Sequence, residues 1–332
     1  MDRRPSPDAV AHPDRPEPAI TIVNQATDLA SRLGAEVERT VRGKPDVVRL
    51  ALSALLSGGH LLLSDLPGTG KTLLAKSIAA SIGGRFGRVQ CTPDLLPTDV
   101  SGTSIFQPVA GHWEFREGPV FSNVLLVDEV NRASPRTQAA LLEPMEERQV
   151  TVDGVTRALP DPFFCIATMN PLGQAGTFPL PESQLDRFAL VLSMGLPGRD
   201  AEREILTGRG GTSLLSTIDA VTSPAELAAA IAAIHQLHCD PAVIEYLLEL
   251  TEATRHHPEL SLGASPRASV GLLAVSRAHA AVCGRHYVTP DDVQATIVSA
   301  YLHRVSVGGR VDMAVAHRVL SQIVAATPVP RG

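Results

Sequence analysis

The chain has 332 residues, 44% of them hydrophobic, and a formal net charge of −6. This length exceeds what one hydrophobic core usually serves, so we expect a large domain and a smaller one, and the apolar content excludes an intrinsically disordered protein. The acidic balance argues against nucleic acid as a partner. No apolar run approaches the roughly 18 residues of a membrane span and no apolar leader opens the chain, so we expect a cytoplasmic protein without a membrane span.

The N-terminal region changes from polar to apolar along its length. Residues 1–20 contain five prolines among charged side chains, which predicts a disordered tail. Apolar periodicity then predicts one helix over Thr27–Arg39 and a second over Pro45–Leu56, which ends before the glycine pair at 58 and 59.

Short apolar strands alternate with helices between residues 60 and 192, a pattern typical of a parallel, doubly wound sheet. The predicted strands are His60–Ser64, Arg88–Cys91, Val124–Val127, Phe163–Thr168 and Phe188–Leu192, and the predicted helices are Lys71–Ser81 and Pro135–Glu147. Two inserts interrupt the pattern. Residues 92–120 are rich in proline and glycine and predict an inserted hairpin, and residues 148–160 predict a hairpin around Asp153-Gly154.

From about residue 200 the strand pattern stops and helix starts become explicit. Each is marked by a capping side chain followed by proline, at Ser223-Pro224, Asp240-Pro241, Ser265-Pro266 and Thr289-Pro290. The predicted fold class is therefore an α/β core over residues 21–197, followed by an all-helical domain over residues 198–332.

The loop between the first strand and the helix that follows it predicts a phosphate site, Pro67-Gly-Thr-Gly-Lys-Thr72. Its glycines allow backbone N–H groups to surround a phosphate at a helix N-terminus. Lys71 would reach the β- and γ-phosphates of ATP, and the Thr72 hydroxyl would bind Mg²⁺. Asp65 replaces the first glycine of the usual motif, and a chance glycine-rich turn is the alternative, so the prediction depends on partners elsewhere in the chain.

Asp128 and Glu129 follow the apolar strand Val124–Val127 directly. Ligands of open α/β folds bind at the carboxyl edge of the sheet, where these two carboxylates would lie. Asp128 would hold Mg²⁺ through water, and Glu129 would orient and polarise the attacking water. A solvated strand end is the alternative.

Two further polar residues have positions that predict contact with a nucleotide. Asn170 follows the strand Phe163–Thr168, so its amide would lie at the same edge and could orient water; a turn-forming asparagine before Pro171 is the alternative. Arg267 lies in the first turn of a helix, where the helix dipole disfavours a cation unless an anion binds nearby; a solvated arginine is the alternative.

These segments together resemble MoxR-type AAA+ ATPases. The resemblance extends from about residue 25 to about residue 325 and is carried by five segments: Leu63–Thr72, Val124–Met145 with the sequence Asp-Glu-Val-Asn-Arg-Ala, Ala167–Pro171, Leu180–Phe188 with the sequence Leu-Pro-Glu-Ser-Gln-Leu-Asp-Arg-Phe, and Gly263–Ala268. It implies an AAA+ core and a helical lid that assemble as a homo-oligomeric ring, commonly a hexamer.

The resemblance also implies roles for individual residues. Asn170 would be sensor 1, Arg267 sensor 2, and Arg187 the arginine finger that acts on the ATP of the neighbouring subunit. Residues 92–120 would be the helix-2 insert, and residues 148–160 the hairpin before sensor 1. Val41 and Gly43 would lie beside the adenine, although Arg42 and Lys44 depart from the usual sequence there. The residues expected to bind nucleotide are Val41, Gly43, Pro67, Gly68, Thr69, Gly70, Lys71, Thr72, Leu73 and Arg267.

The leading hypothesis for function is ATP hydrolysis coupled to chaperone-like remodelling or activation of a protein partner, with ATP and Mg²⁺ as cofactors. The resemblance implies partners that carry a von Willebrand factor A domain. The alternatives are the motor subunit of a Mg²⁺ or cobalt chelatase, and a nucleotide-gated scaffold without useful turnover. A nucleic-acid motor is disfavoured by the acidic balance of the chain.

Overall fold

The computed structural model describes residues 17–65, 68–170, 177–207 and 211–330. Its helices, in chain order, are α1 (Glu17–Thr40), α2 (Pro45–Leu56), α3 (Lys71–Ser81), α4 (Pro97–Ser101), α5 (Pro135–Ala139), α6 (Leu142–Glu147), α7 (Glu182–Leu185), α8 (Arg199–Leu206), α9 (Pro224–Ile234), α10 (Pro241–His256), α11 (Pro266–Val282), α12 (Pro290–Tyr301) and α13 (Met313–Ala326). Its strands are β1 (Leu61–Ser64), β2 (Phe86–Gln90), β3 (Gly102–Gln107), β4 (His112–Glu117), β5 (Val124–Asp128), β6 (Gln149–Val152), β7 (Val155–Ala158), β8 (Phe164–Met169), β9 (Leu190–Leu192), β10 (His238–Cys239) and β11 (Tyr287–Val288).

The central sheet has five strands in the order β2-β5-β8-β1-β9. Each neighbouring pair is parallel, so the carboxyl ends of all five strands meet at one edge. Successive side chains of a strand point to opposite faces of a sheet. Leu61 and Leu63 accordingly belong to one hydrophobic core and Leu62 to a second core on the other face. Burial on both faces explains the continuous apolar runs and confirms the predicted α/β class.

The first helix begins earlier than predicted. It starts at Glu17, ten residues before Thr27, so the predicted tail of residues 1–20 is too long; residues 1–16 lie outside the described part of the chain. The helix extends because apolar residues recur at helical spacing from its first turns onward, and they are buried at Val23, Ala26, Ala30, Leu33 and Val37.

The helix predicted over Pro135–Glu147 is divided into α5 and α6, with a break at Ala140 and Leu141. Pro144 supplies the reason, since it lacks an N–H for the carbonyl of residue 140 and its ring crowds that carbonyl. The two inserts contain the predicted hairpins. Strands β3 and β4 pair antiparallel, and β6 and β7 pair antiparallel across Asp153-Gly154, where both residues have positive φ (53° and 75°).

Within its described residues, the second domain contains helices and two short strands, β10 and β11. The strands pair in parallel over two residues each and correct the expectation that strands stop near residue 200. All four predicted helix starts are confirmed. The hydroxyls of Ser223 and Ser265 and the carboxylate of Asp240 accept backbone N–H groups of the first turn, and Thr289 forms a capping box with Asp292.

The second domain packs directly on the N-terminal helices. Helix α11 lies against α2 and α1, and residues of all three belong to one hydrophobic core that also contains one face of the central sheet. Polar contacts join the domains at a second place, where His303 contacts the carbonyl of Phe188 (2.9 Å) and Arg304 donates to the carboxylate of Asp186 (3.0 Å). This docking fixes the position of Arg267, which lies in the first turn of α11.

Candidate nucleotide site

A cavity of about 510 Å³ opens at the carboxyl edge of the sheet, where β1, β5 and β8 end. It brings together most of the polar residues that the sequence predicts to bind phosphate, Mg²⁺ or water. Its lining consists of Asp65, Gly68, Gly70, Lys71, Thr72, Leu73, Arg88, Gln90, Asp128, Glu129, Thr168, Met169 and Asn170.

The phosphate loop requires glycine at two described positions. Gly68 and Gly70 have φ values of 83° and 96°, in the left-handed region that other residues rarely adopt. Gly70 caps α3, so the helix N-terminus begins at Lys71 and points into the cavity region. The Lys71 ammonium donates to the Asp65 carbonyl (3.1 Å), and burial lowers its pKa against the opposing effect of nearby carboxylates. Pro67 lies outside the described residues.

Asp65, which replaces the first glycine of the usual motif, has a structural partner. Its Oδ2 accepts the backbone N–H of Gly195 (2.7 Å) and the hydroxyl of Ser193 (3.3 Å). Both belong to the irregular segment between β9 and α8 that leads into the helical domain. The carboxylate therefore joins the start of the phosphate loop to the connection between the two domains.

The two acidic residues at the end of β5 each have an arginine partner. Asp128 Oδ2 accepts from Nε of Arg88 (2.8 Å), and Glu129 accepts from Arg132 (2.9 Å). Glu129 has a positive φ of 55°, and its backbone N–H donates to the Thr168 hydroxyl at the end of β8 (2.9 Å). Left-handed backbone at this position turns the chain out of the strand, so the Glu129 side chain lines the cavity.

Arg88 and Thr168 are site residues that sequence reasoning missed. Arg88 lies on β2, where Gln90 is the residue opposite Asp128 in the parallel register. A basic residue two positions before the end of a strand carries no motif, because the pairing of β2 with β5 joins residues 40 apart in the chain. Arg88 could be assigned to the site only from the strand order, which places β2 beside β5.

Asn170 lies at the end of β8 and lines the cavity, as predicted. Its carbonyl accepts from the side-chain amide of Asn131 (3.4 Å), which belongs to the turn after Glu129. The turns after β5 and β8 are thereby connected beside the cavity.

A smaller cavity of about 90 Å³ lies on the other side of the phosphate loop. Val41, Gly68, Thr69, Gly70 and Leu73 line it together with Met194 and Ala201. Gly43 adjoins it with a φ of 72°, and a Cβ there would lie 2.9 Å from that of Ala201. Arg42 pairs with Glu204 of α8 (3.1 Å), and Lys44 donates to the carbonyl of Leu196, just before α8. Both cations therefore contact α8 or the segment that leads into it.

Arg187 and Arg267 do not line either cavity. Both contact Glu146, Arg187 through a close ion pair and Arg267 at 3.6 Å, and Arg267 also approaches Asp186 (3.5 Å). The anion expected near the first turn of α11 is thus a pair of carboxylates of the chain itself. The Nε of Arg187 is buried without a hydrogen-bond partner.

The donors at the cavity suit ATP·Mg²⁺. The Thr72 hydroxyl and the Asp128 carboxylate are the hard oxygen ligands that Mg²⁺ prefers, and Mg²⁺ neutralises charge on the β- and γ-phosphates when bound. A Cβ built on Gly68 would meet nothing within 4 Å, which leaves room beside the loop for phosphate oxygens. Lys71 supplies a cation for these oxygens, and the Glu129 carboxylate can accept a hydrogen bond from a water molecule.

The chain resembles known proteins over most of its length. Residues 60–190 match the family described as "ATPase family associated with various cellular activities (AAA)", and residues 252–323 match the AAA lid domain. The chain is 42% identical over 308 residues to the uncharacterized protein YeaC of Bacillus subtilis, covering 91% of this chain and 96% of that protein. It is 41% identical over 283 residues to Chaperone MoxR1 of Mycobacterium tuberculosis, covering 81% of this chain and 73% of that protein.

A solved structure has the same fold. The chain superposes on a candidate ATPase from Cytophaga hutchinsonii with a TM-score of 0.84 and 31% sequence identity, covering 95% of this chain and 99% of that one. In the part of the chain that the structure describes, no helix is both long and apolar enough to cross a membrane.

Proposed function

The chain belongs to the MoxR family of AAA+ ATPases, and we propose that it couples hydrolysis of ATP·Mg²⁺ to the remodelling or activation of a protein partner. One observation carries the proposal: Lys71, Thr72, Asp128, Glu129 and Asn170 line a single cavity, although they come from three separate parts of the chain. These are the residue types that phosphate binding, metal binding and water activation require.

Each of these residues has a distinct role in the proposed reaction. Lys71 and the N-terminus of α3 bind the β- and γ-phosphates, and Thr72 and Asp128 would hold Mg²⁺. Glu129 orients the attacking water and draws its proton, and Asn170 fixes the position of that water. For Glu129 to act, its carboxylate must leave Arg132, and the exposure of Arg132 allows this exchange.

Arg187 and Arg267 complete the site of a neighbouring subunit. Their shared contact with Glu146 lies away from the two cavities beside the phosphate loop, which supports action in trans on ATP bound by a second copy. A closed ring, commonly a hexamer in this family, would place each pair beside the next nucleotide. The terminal nitrogen of Arg187 that pairs with Glu146 would bind a phosphate oxygen after it leaves Glu146.

We propose a protein as the partner, and a von Willebrand factor A domain as the class of protein to test first. The name of the relative Chaperone MoxR1 supports work on proteins. The Glu129→Gln variant should bind ATP and stay assembled with its partner, because ATP is no longer hydrolysed and the ATP-bound ring persists. Phosphate release should fall by about 10²-fold or more, the usual contribution of a general base.

The unmodified protein is the comparison for that experiment. If Glu129→Gln releases phosphate at the unmodified rate, Glu129 does not activate water and the assignment of the site is wrong. If the unmodified protein binds ATP without releasing phosphate, the chain is a nucleotide-gated scaffold instead.

A further inference from the structure

Arg88 is a cavity residue that the roles given above do not use. Its Nε donates to Asp128 Oδ2 (2.8 Å), and a terminal nitrogen donates to Gln90 Oε1 (3.2 Å). The arginine side chain is 49% exposed, whereas the Asp128 side chain is only 11% exposed. The carboxylate is therefore held in place and the guanidinium is the partner that is free to move.

The pair conflicts with the metal-binding role of Asp128. A guanidinium on Oδ2 neutralises the charge that would attract Mg²⁺ and blocks one of the two oxygens. The other oxygen, Oδ1, has a long contact with the Thr168 hydroxyl (3.4 Å). In the described residues, Arg88 and Lys71 are the basic side chains that line this cavity. Arg88 thus both competes with a metal ion and supplies half of the positive charge that faces a triphosphate.

We propose that Arg88 is a positioning residue that exchanges partners during nucleotide binding. It is the counter-ion of Asp128 in the nucleotide-free site, it releases Asp128 to the metal ion when ATP·Mg²⁺ binds, and its guanidinium then turns to the terminal phosphate. An ion pair with one half-exposed member contributes little free energy, so little free energy opposes the exchange. The fork of donors on arginine matches phosphate oxygens. This inference rests on the proposed function.

The exchange predicts two effects of opposite sign in Arg88→Ala. Without Mg²⁺, ATP should bind more weakly, on the order of tenfold, because the Asp128 carboxylate then faces the triphosphate without its counter-ion. The Mg²⁺ concentration for half-maximal nucleotide binding should fall by several-fold, because Asp128 no longer has a competing cation. A residue with a merely structural role would not separate these two quantities.

The measurement uses the Glu129→Gln protein, so that ATP is not consumed. A fluorescent ATP analogue is titrated in EDTA, and Mg²⁺ is then titrated at fixed nucleotide. Arg88→Lys should keep most of the affinity without Mg²⁺, because it keeps the charge. Arg85→Ala is the matched control: Arg85 directly precedes β2 and pairs with Glu117 (3.4 Å) outside the cavity, so neither quantity should change.

The two affinities of Arg88→Ala distinguish an exchange of partners from a damaged site. Opposite changes in Arg88→Ala support the exchange. Parallel loss of both affinities shows a damaged site and overturns the inference, as does no change in either. Thermal unfolding of each variant establishes that it is folded. If the Glu129→Gln protein with Arg88 intact binds no ATP, the proposed function itself fails, which is a different outcome from failure of the exchange.

Discussion

Replacement of Asp65 by alanine tests whether this carboxylate holds the phosphate loop to the connection between the domains. Asp65 is 9% exposed, and its Oδ2 accepts the Gly195 N–H at 2.7 Å. A hydrogen bond to a charged group contributes about 1.5–3 kcal/mol. Because the Gly195 N–H is only partly buried and can recover a water molecule, we expect the lower value, about 1.5 kcal/mol. At 2–4 °C per kcal/mol this corresponds to a fall in Tm of about 3–6 °C.

The assay is thermal unfolding followed by circular dichroism, together with the affinity for a fluorescent ATP analogue. We expect affinity to fall as well, because Met194 and Pro197 of the released connection line the smaller cavity beside the loop. Ser193→Ala is the control, since it removes only the longer contact (3.3 Å) and should change Tm little. If Asp65→Ala matches the unmodified protein in both Tm and affinity, Asp65 does not hold the loop.

Three further predictions concern catalysis and pH. Arg187→Ala should lose about 10³-fold or more in phosphate release, and mixing with Lys71→Ala subunits, which retain Arg187, should restore turnover; full activity of Arg187→Ala alone would exclude action in trans. Asn170→Ala should lower phosphate release by about 10²-fold while ATP analogue affinity is retained, and equal losses in both would contradict a role in orienting water. Burial opposes protonation of His279, but its contacts with Asp292 and with the Cys283 thiol raise its pKa to about 9 from 6.5. The stability that these contacts provide is therefore complete below pH 6.5 and is lost as pH rises through 9, so urea unfolding of His279→Gln should lack that decline.

The local parts of the site could be predicted from the sequence because each is contiguous in the chain. The glycine-rich loop, the two carboxylates at the end of β5 and the asparagine after β8 all follow apolar runs, and parallel strands bring their carboxyl ends together. Helix α3 and helix α2 have the predicted bounds because a glycine N-cap and a proline start mark them. The four capped helix starts of the second domain could be predicted for the same reason.

The remaining features depend on contacts between distant residues. The Arg88–Asp128 pair depends on strand order, and the Asp65–Gly195 contact joins residues 130 apart. Arg187 and Arg267 share the partner Glu146 only because the helical domain docks on the core. The early start of α1 does not follow from the local sequence, because prolines surround it, and depends instead on the packing of α1 against α9 and α11.

The shared core of α1, α2 and α11 also has a consequence for how this chain can be divided. Sequence places a domain boundary near residue 197, but α2 buries Leu52 and Leu55 in the same core as Leu272 and Val275 of α11. A fragment that ends at the boundary would expose these apolar surfaces to water on both pieces. Core and lid should therefore melt in one cooperative transition, and a shortened ATPase fragment should aggregate rather than fold.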